Sequence, residues 1–173
     1  MSTRQIAEAA GVAEGTIFRA FGSKEALFSA TIANAFDPTP VAEALAAIDR
    51  ELPLRERMTT AVDVLQERLR SVFGLLLAMR LHRPPDHDKD SCKDGSGDDP
   101  RAAGNALVHG ALADVLVPDA ARLRYPLEEV ARRIRLVAFS GTHPLISDGR
   151  PLTAEEIVDF VLDGVRIQEP EDL

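Results

Sequence analysis

The sequence predicts an all-α fold, and three observations lead to that prediction. The 173 residues are 45% hydrophobic and 28% charged, with no tryptophan, and alanine, leucine and valine supply much of the apolar content, as in helical globular proteins. Apolar residues recur at helical spacing through most of the chain. Ser2 with Gln5, and Thr153 with Glu156, have the spacing of capping boxes, which mark the starts of helices.

Glycines divide the first 36 residues into three predicted short helices. The first runs from Thr3 to about Ala10 and ends at Gly11, because glycine adopts the left-handed conformation without steric cost. The second covers 14–21, and the third covers 24–36. Two short helices joined by a turn with glycine form a helix-turn-helix, whose second helix can enter the major groove of DNA.

A larger helical region is expected from residue 37 to the end. Its predicted helices cover 41–51, 54–82, 102–117, 126–145 and the segment from 154 onward. The last two helices carry more apolar surface than one chain can cover, so we expect them to form a homodimer interface. The segment at about 83–101 is rich in proline, glycine, serine and aspartate, which predicts a mobile loop.

The composition excludes several classes of protein. A formal charge of −8 argues against non-specific coating of nucleic acid, although it leaves room for a small local DNA-binding surface. The apolar run at 72–79 is too short to cross a bilayer of ~30 Å, so we expect no membrane association. A lone cysteine, Cys92, and the lack of a basic and apolar leader predict a cytoplasmic location.

No motif for catalysis, a cofactor or a metal emerges from the sequence. A glycine-rich phosphate loop, a nucleophile elbow and paired carboxylates are all missing, so we predict no enzyme and no cofactor. Asp86, Asp88 and Asp90 have the opening spacing of a calcium loop, but Ser91 and Gly97 stand where glycine and glutamate are required. We interpret this segment as a solvated acidic loop and predict no metal site.

Residues 2–32 closely resemble the DNA-binding region of the TetR family of bacterial transcriptional regulators. The matching positions are Ile6, Ala7, Gly11, Val12, Gly15, Thr16, Ile17, Phe21, Ser23, Lys24, Leu27 and Phe28. The remaining chain is similar to the family only in architecture, as an all-helical ligand-binding and dimerisation domain. The resemblance implies a homodimer, joined through the last two helices, that represses transcription from double-stranded operator DNA until a small-molecule effector releases it.

The candidate DNA-binding residues lie in the first two helices and at the start of the third. They are Ser2, Thr3, Arg4, Glu14, Gly15, Thr16, Phe18, Arg19 and Lys24. Ser2 and Thr3, at a helix N-terminus, suit a phosphate, and the fork of Arg4 matches guanine O6 and N7. Gly15 leaves room for the sugar-phosphate backbone, and Thr16 offers a hydroxyl and a methyl group.

By resemblance, Lys24 is the lysine that anchors the DNA backbone. Its contact with a phosphate would release counterions. The apolar residues of the region are assigned to its core; they are Ile6, Val12, Ile17, Phe21 and Leu27.

The chain departs from the family pattern at three positions of this region. Glu14, Phe18 and Ala20 replace a basic or polar residue, a tyrosine and a histidine. Phe18 keeps the ring without a hydroxyl, and phosphate repels Glu14 unless its carboxylate accepts a hydrogen bond from a cytosine amine. Over residues 1–36 the acidic and basic side chains balance, with Arg4, Arg19 and Lys24 against Glu8, Glu14 and Glu25.

Another departure is at the start, because the family places a complete helix ahead of Ser2 and only Met1 stands there. We expect the sequence to begin inside a longer protein. The alternative is a ligand-binding or scaffolding dimer that has lost DNA binding together with its first helix.

An effector pocket is expected between the helix at 54–82 and the helices at 102–117 and 126–145. Its candidate lining residues are Leu69, Phe73, Leu76, His109, Phe139 and His143. Their side chains predict a small, largely apolar ligand. The same residues would also serve as ordinary core, with hydrogen-bonded histidines.

Overall fold

The structure, a computed structural model, describes residues 2–80 and 100–165. Throughout these two ranges the regular secondary structure is helical, so the all-α prediction is confirmed. The helices are α1 (Thr3–Ala10), α2 (Glu14–Phe21), α3 (Lys24–Phe36), α4 (Thr39–Ala46), α5 (Leu54–Arg80), α6 (Pro100–Leu116), a 3₁₀ helix (Val117–Arg122), α7 (Leu127–Thr142) and α8 (Ala154–Val165). The predicted mobile loop at 83–101 lies almost entirely outside the described residues.

The bounds of α1, α2 and α3 agree with the sequence prediction, but two later helices differ from it. We expected a helix to continue to residue 145, whereas α7 ends at Thr142. His143 precedes Pro144 and has extended backbone angles (φ −69°, ψ 121°), because a following proline disfavours the helical conformation. The helix predicted at 41–51 is α4, which runs from Thr39 to Ala46 and so begins and ends earlier than predicted. Pro40 lies in its first turn, where no helical N–H bond is lost.

The chain divides into two compact units. The first contains α1, α2 and α3 together with residues 75–80 of α5. The second contains residues 38–74 and 100–165, and therefore α4, most of α5, and α6 to α8.

The core of the second unit is built from all five of its helices. Its largest fully buried apolar side chains are Leu45, Met58, Val62, Leu112, Val115, Leu116, Val130, Ile134, Ile157, Val158 and Leu162. Met58, Val62 and Leu65 form an apolar stripe at helical spacing along α5, and all three are buried. This stripe is therefore the face of α5 that the neighbouring helices cover.

A buried ion pair joins α5 to the 3₁₀ helix. The guanidinium of Arg57 donates hydrogen bonds to the Asp119 carboxylate and to the carbonyl oxygens of Val115, Arg50 and Leu52. Because these acceptors surround the cation, its charge is compensated although only 3% of the residue is exposed. Arg122 donates a further hydrogen bond to the outer carboxylate oxygen of Asp119 at 2.8 Å.

A second buried polar contact holds the segment between α7 and α8. The Gln66 amide on α5 donates to the Thr142 hydroxyl at 3.0 Å and to the Leu152 carbonyl at 2.8 Å. The Leu152 N–H donates in turn to the carbonyl of Gly141 at 2.9 Å. A Cβ at Gly141 would lie 3.1 Å from the Leu152 side chain, so glycine permits this close approach.

None of the described helices is both long enough and apolar enough to span a membrane.

The buried ion pair makes the stability of the second unit sensitive to acid. Burial by itself would raise the pKa of the Asp119 carboxyl, but hydrogen bonds and charge from Arg57 and Arg122 outweigh burial and hold that pKa below its usual value. The contribution of the pair is therefore complete above the unfolded-state pKa of about 4 and is lost as pH falls through the lower folded-state value.

We predict that Asp119→Asn lowers the free energy of unfolding by about 3 kcal/mol at pH 7, because Arg57 keeps its buried charge and loses its counterion. Asp159→Asn is the matched control, since it removes a half-exposed partner of Arg55 and should cost less than about 1 kcal/mol. Urea unfolding followed by the fluorescence of Tyr125, the single tyrosine, measures both. The difference in the free energy of unfolding between wild type and Asp119→Asn should shrink at pH 3. Equal losses of unfolding free energy in Asp119→Asn and Asp159→Asn at pH 7 would contradict the assignment.

Candidate DNA-binding surface

The first two helices pack against each other through one small and one branched residue. Ala7 is the buried residue of α1, and Ile17 is the buried residue of α2. A methyl side chain at position 7 lets the two helices approach closely. The rest of α2 is open to solvent, with Gly15, Thr16, Phe18 and Arg19 all exposed.

A left-handed turn at Gly11 separates the two helices. Gly11 has φ 67° and ψ 26°. Its N–H donates to the Glu8 carbonyl at 3.2 Å, and the Val12 N–H donates to the Ala7 carbonyl at 3.0 Å, which together form a Schellman motif. A Cβ at Gly11 would meet nothing within 4 Å, so the backbone conformation, and not space, is what requires glycine here.

The start of α2 is the part best suited to approach DNA. Its N-cap is Ala13, whose side chain makes no capping hydrogen bond. Ala13 therefore leaves backbone N–H groups in the first turn of α2 without a side-chain cap. Gly15 follows in the first turn, and a Cβ there would meet nothing within 4 Å. The backbone of α2 is therefore open to approach at Gly15.

The candidate residues of α1 are already engaged within the helix. The Ser2 hydroxyl accepts from the Gln5 N–H at 3.3 Å, and the Ser2 N–H donates to the Gln5 side chain at 2.8 Å, so the predicted capping box is present. A phosphate at Ser2 would compete with these bonds. Arg4 lies 3.3 Å from Glu8 in an ion pair that is largely exposed, and such a pair is weak enough to be exchanged for a DNA contact.

A hydrogen bond that the sequence analysis did not foresee joins two of the candidate residues. The Thr3 hydroxyl donates to Oε1 of Glu14 at 2.7 Å, which connects the first turn of α1 with the first turn of α2. The two residues are 11 positions apart, and no sequence spacing rule would have paired them.

Lys24 is the first residue of α3, directly after the N-cap Ser23, whose hydroxyl accepts from the Ala26 N–H at 3.1 Å. The ammonium of Lys24 lies 5.7 Å from the centre of the Phe28 ring, within the range of a cation–π contact. Backbone and Ser23 hydrogen bonds hold the pKa of the neighbouring Glu25 carboxyl below its usual value, so Glu25 is anionic at neutral pH.

The predicted core of this unit needs a correction. Of its five members, Ile17 is buried, and Ile6 and Leu27 are half-buried. Val12 and Phe21 are 43% and 39% exposed, so their assignment to the core is wrong. The described helices of the unit are short, and they leave these two side chains uncovered.

Three of the six candidate effector residues meet in the second unit. The Phe73 ring contacts Phe139 edge-on at 5.2 Å between centroids and His143 edge-on at 4.6 Å. Phe139 and His143 are 5.7 Å apart. Nδ1 of His143 accepts from the Leu145 N–H at 3.3 Å, so the other ring nitrogen, Nε2, is available as a donor.

The other three candidates lie elsewhere. Leu69 packs against the core, as the alternative interpretation allowed. His109 is half-buried on α6, and Leu76 is exposed on the part of α5 that groups with the first unit. Ring contacts within the described part of the chain do not include His109.

An open depression of about 440 Å³ lies between α7 and α8 and contains none of the six candidates. It is lined by Arg133, Val137, Phe160, Val161, Asp163, Gly164 and Val165. Phe160 is 70% exposed there, and Leu136 of α7 is exposed as well. Large apolar side chains in such positions are typical of an interface with another protein.

No cluster of three or more histidine, cysteine, aspartate or glutamate residues that could hold a metal ion occurs in the ranges 2–80 and 100–165. The aspartates at 86, 88 and 90 lie outside those ranges.

The arrangement of α1, the Gly11 turn and α2 defines a helix-turn-helix of the DNA-binding class. The family model of bacterial regulatory proteins, tetR family, matches residues 1–31. The resemblance to the TetR family is therefore confirmed for the segment that carries the helix-turn-helix.

Comparison with solved structures extends the likeness to the whole fold. A TetR transcriptional regulator from Streptomyces coelicolor is similar with a TM-score of 0.58 and 24% identity, over 94% of this chain and 86% of that one. A transcriptional regulator from Rhodococcus sp. Rha1 is similar with a TM-score of 0.55 and 17% identity, over 97% and 88% of the two chains. At these identities the likeness shows the fold. Among curated proteins, no sequence matches the chain significantly.

Proposed function

We propose that the chain is a TetR-like transcriptional repressor that binds operator DNA as a homodimer and is released by a small, largely apolar effector. The observation that carries the proposal is the exposed face of α2, which the Gly11 turn holds away from α1. The family match over residues 1–31 supports the same reading. Since operator DNA in a bacterium lies in the cytoplasm, the proposal places the chain there, with no enzymatic activity assigned to it.

The contacts with DNA would come from both short helices and from the start of α3. Thr16 and Arg19, on the open face of α2, would face base edges or phosphates, while Lys24 would hold the DNA backbone. Gly15 would allow the sugar-phosphate chain to approach. Phe18 is exposed and would contact the duplex through its ring alone.

We predict that Thr16→Ala lowers affinity for a selected duplex about tenfold, because a hydroxyl and a methyl group are both lost. Lys24→Ala should weaken binding to all duplexes and reduce the slope of log affinity against log salt by about one for each protomer. Fluorescence anisotropy at several salt concentrations between about 50 and 200 mM measures both effects.

Two matched controls accompany these variants. Thr31→Ala removes a threonine of α3 whose hydroxyl donates to its own helix at Leu27, 2.8 Å away. Arg70→Ala removes one positive charge from the second unit. Both controls should bind as wild type does. If Thr16→Ala and Lys24→Ala also bind unchanged, these two residues do not contact DNA as proposed. A wild type that binds no duplex selectively would support the alternative, namely a ligand-binding dimer without a DNA role.

The dimer interface would be formed by the outer faces of α7 and α8. Phe160 and Leu136 are exposed on these helices, and burying two such side chains in each protomer favours association by removing apolar surface from water. A two-fold axis between the helices would present two copies of α2 to a near-palindromic operator.

We predict that Phe160→Glu converts the dimer into a monomer, because a carboxylate would have to be desolvated at the interface. Leu145→Glu is the control, since Leu145 is 75% exposed but lies in the turn after α7. Sedimentation velocity should show a monomer of half the mass for Phe160→Glu and an unchanged dimer for Leu145→Glu. A monomeric wild type, or a dimeric Phe160→Glu, would contradict this interface.

The effector would bind against Phe73, Phe139 and His143. Three rings in mutual contact, one of them with a free nitrogen donor, suit a small apolar ligand that carries a hydrogen-bond acceptor. Binding would release DNA by favouring a conformation in which the two copies of α2 no longer match the operator.

We predict that a compound of this kind raises the unfolding temperature of the wild type, and raises it less in Phe73→Ala, which removes the central ring of the three. Leu107→Ala, at an exposed apolar position on α6, is the control and should keep the full shift. Differential scanning fluorimetry measures all three proteins. Equal shifts in wild type and Phe73→Ala would place the ligand elsewhere.

A further inference from the structure

Glu14 is an acidic residue at a position where a DNA reader of the resembled family usually carries a polar or basic side chain. It stands in the first turn of α2 and is exposed. Among the described residues no cation forms an ion pair with it. Its hydrogen-bond partner is the Thr3 hydroxyl, 2.7 Å from Oε1.

We propose that Glu14 is a specificity-determining residue that selects cytosine at one position of each operator half-site, with Thr3 as the residue that positions its carboxylate. The inference rests on the proposed function, since it names what the reading helix recognises.

The hydrogen bond to Thr3 restricts the conformations of the Glu14 side chain. A free glutamate has several rotamers and would lose much of this freedom on binding a base. The Thr3 hydroxyl restrains Oε1, and Thr3 itself is half-buried in the first turn of α1. Oε2 is then the oxygen left to accept a hydrogen bond from outside. The carboxylate is thus oriented before DNA arrives, which lowers the entropic cost of the contact.

The chemistry of the major groove determines which base such an oxygen accepts from. An ionised carboxylate only accepts hydrogen bonds. Guanine presents two acceptors and thymine presents an acceptor and a methyl group, so both repel it or leave it unpaired. Adenine offers an amine beside the N7 acceptor, whereas cytosine offers its N4 amine, the usual partner of glutamate.

The charge of residues 1–36 also favours a base over a phosphate as the partner of Glu14. Arg4, Arg19 and Lys24 are balanced by Glu8, Glu14 and Glu25 over residues 1–36. A carboxylate at the start of α2 also cancels part of the positive end of the helix dipole, which would otherwise attract phosphate. Phosphate is therefore disfavoured at this end of α2, and a base that donates a hydrogen bond is favoured.

The test is selection of duplexes from a random pool by the full chain, followed by binding measurements on the selected site with each base at each position. Wild type, Glu14→Gln, Thr3→Val and Glu8→Gln are compared. Glu8→Gln is the matched control because it removes the same charge from the same unit, at an exposed position of α1.

Wild type should prefer cytosine about tenfold over other bases at one position of each half-site. Glu14→Gln should change that preference to adenine, because an amide pairs with adenine N6 and N7. Thr3→Val should keep cytosine with a preference reduced to a few-fold. Glu8→Gln should tighten binding to all duplexes and keep the wild-type base preference.

The outcomes separate this inference from the proposed function. A wild type that selects no sequence overturns the proposed function itself. If wild type selects a site and Glu14→Gln has the same base preference everywhere, Glu14 does not read a base and the inference is wrong. A Thr3→Val variant with undiminished cytosine preference overturns the positioning role of Thr3.

Discussion

The left-handed turn at Gly11 is the constraint on which the DNA-binding surface depends. The backbone must turn within three residues between α1 and α2, and glycine adopts the φ of 67° at position 11 without the backbone strain that other residues would incur. The small side chain of Ala7 then lets Ile17 pack against α1. Since one face of α2 is used for this contact, the other face is left for a ligand as large as a duplex.

If the candidate surface binds DNA as proposed, its electrostatics determine what kind of DNA reader it is. With no net side-chain charge over residues 1–36, attraction to phosphate contributes less than in a strongly basic domain. Under the proposed function, discrimination between sequences would then rest on direct contacts with base edges and on the fit of two symmetry-related helices to one operator. The exposed Glu14, restrained by Thr3, fits a reader of this kind better than one that binds phosphate along its whole length.

The sequence predicted local structure well and long-range pairing poorly. Capping residues and glycines specify α1, α2 and α3 because they act on neighbouring backbone groups. The end of α7 was predicted too late, although Pro144 acts just as locally. The Arg57–Asp119 pair spans 62 positions, so only the packed fold brings it together. Val12 and Phe21 were misassigned to the core because hydrophobicity alone does not say which face a neighbouring helix covers.

The most direct test of this account is the affinity of Gly11→Ala for a selected duplex relative to random competitor DNA, with sedimentation run in parallel. The added methyl group meets no neighbour, so the substitution acts through backbone strain of about 1–2 kcal/mol and alters the orientation of α2. The account predicts that wild type prefers the selected duplex at least about a thousandfold, and that Gly11→Ala loses most of this preference while its oligomeric state is unchanged. A Gly11→Ala variant that discriminates as wild type does, or a wild type with no preference, would contradict it.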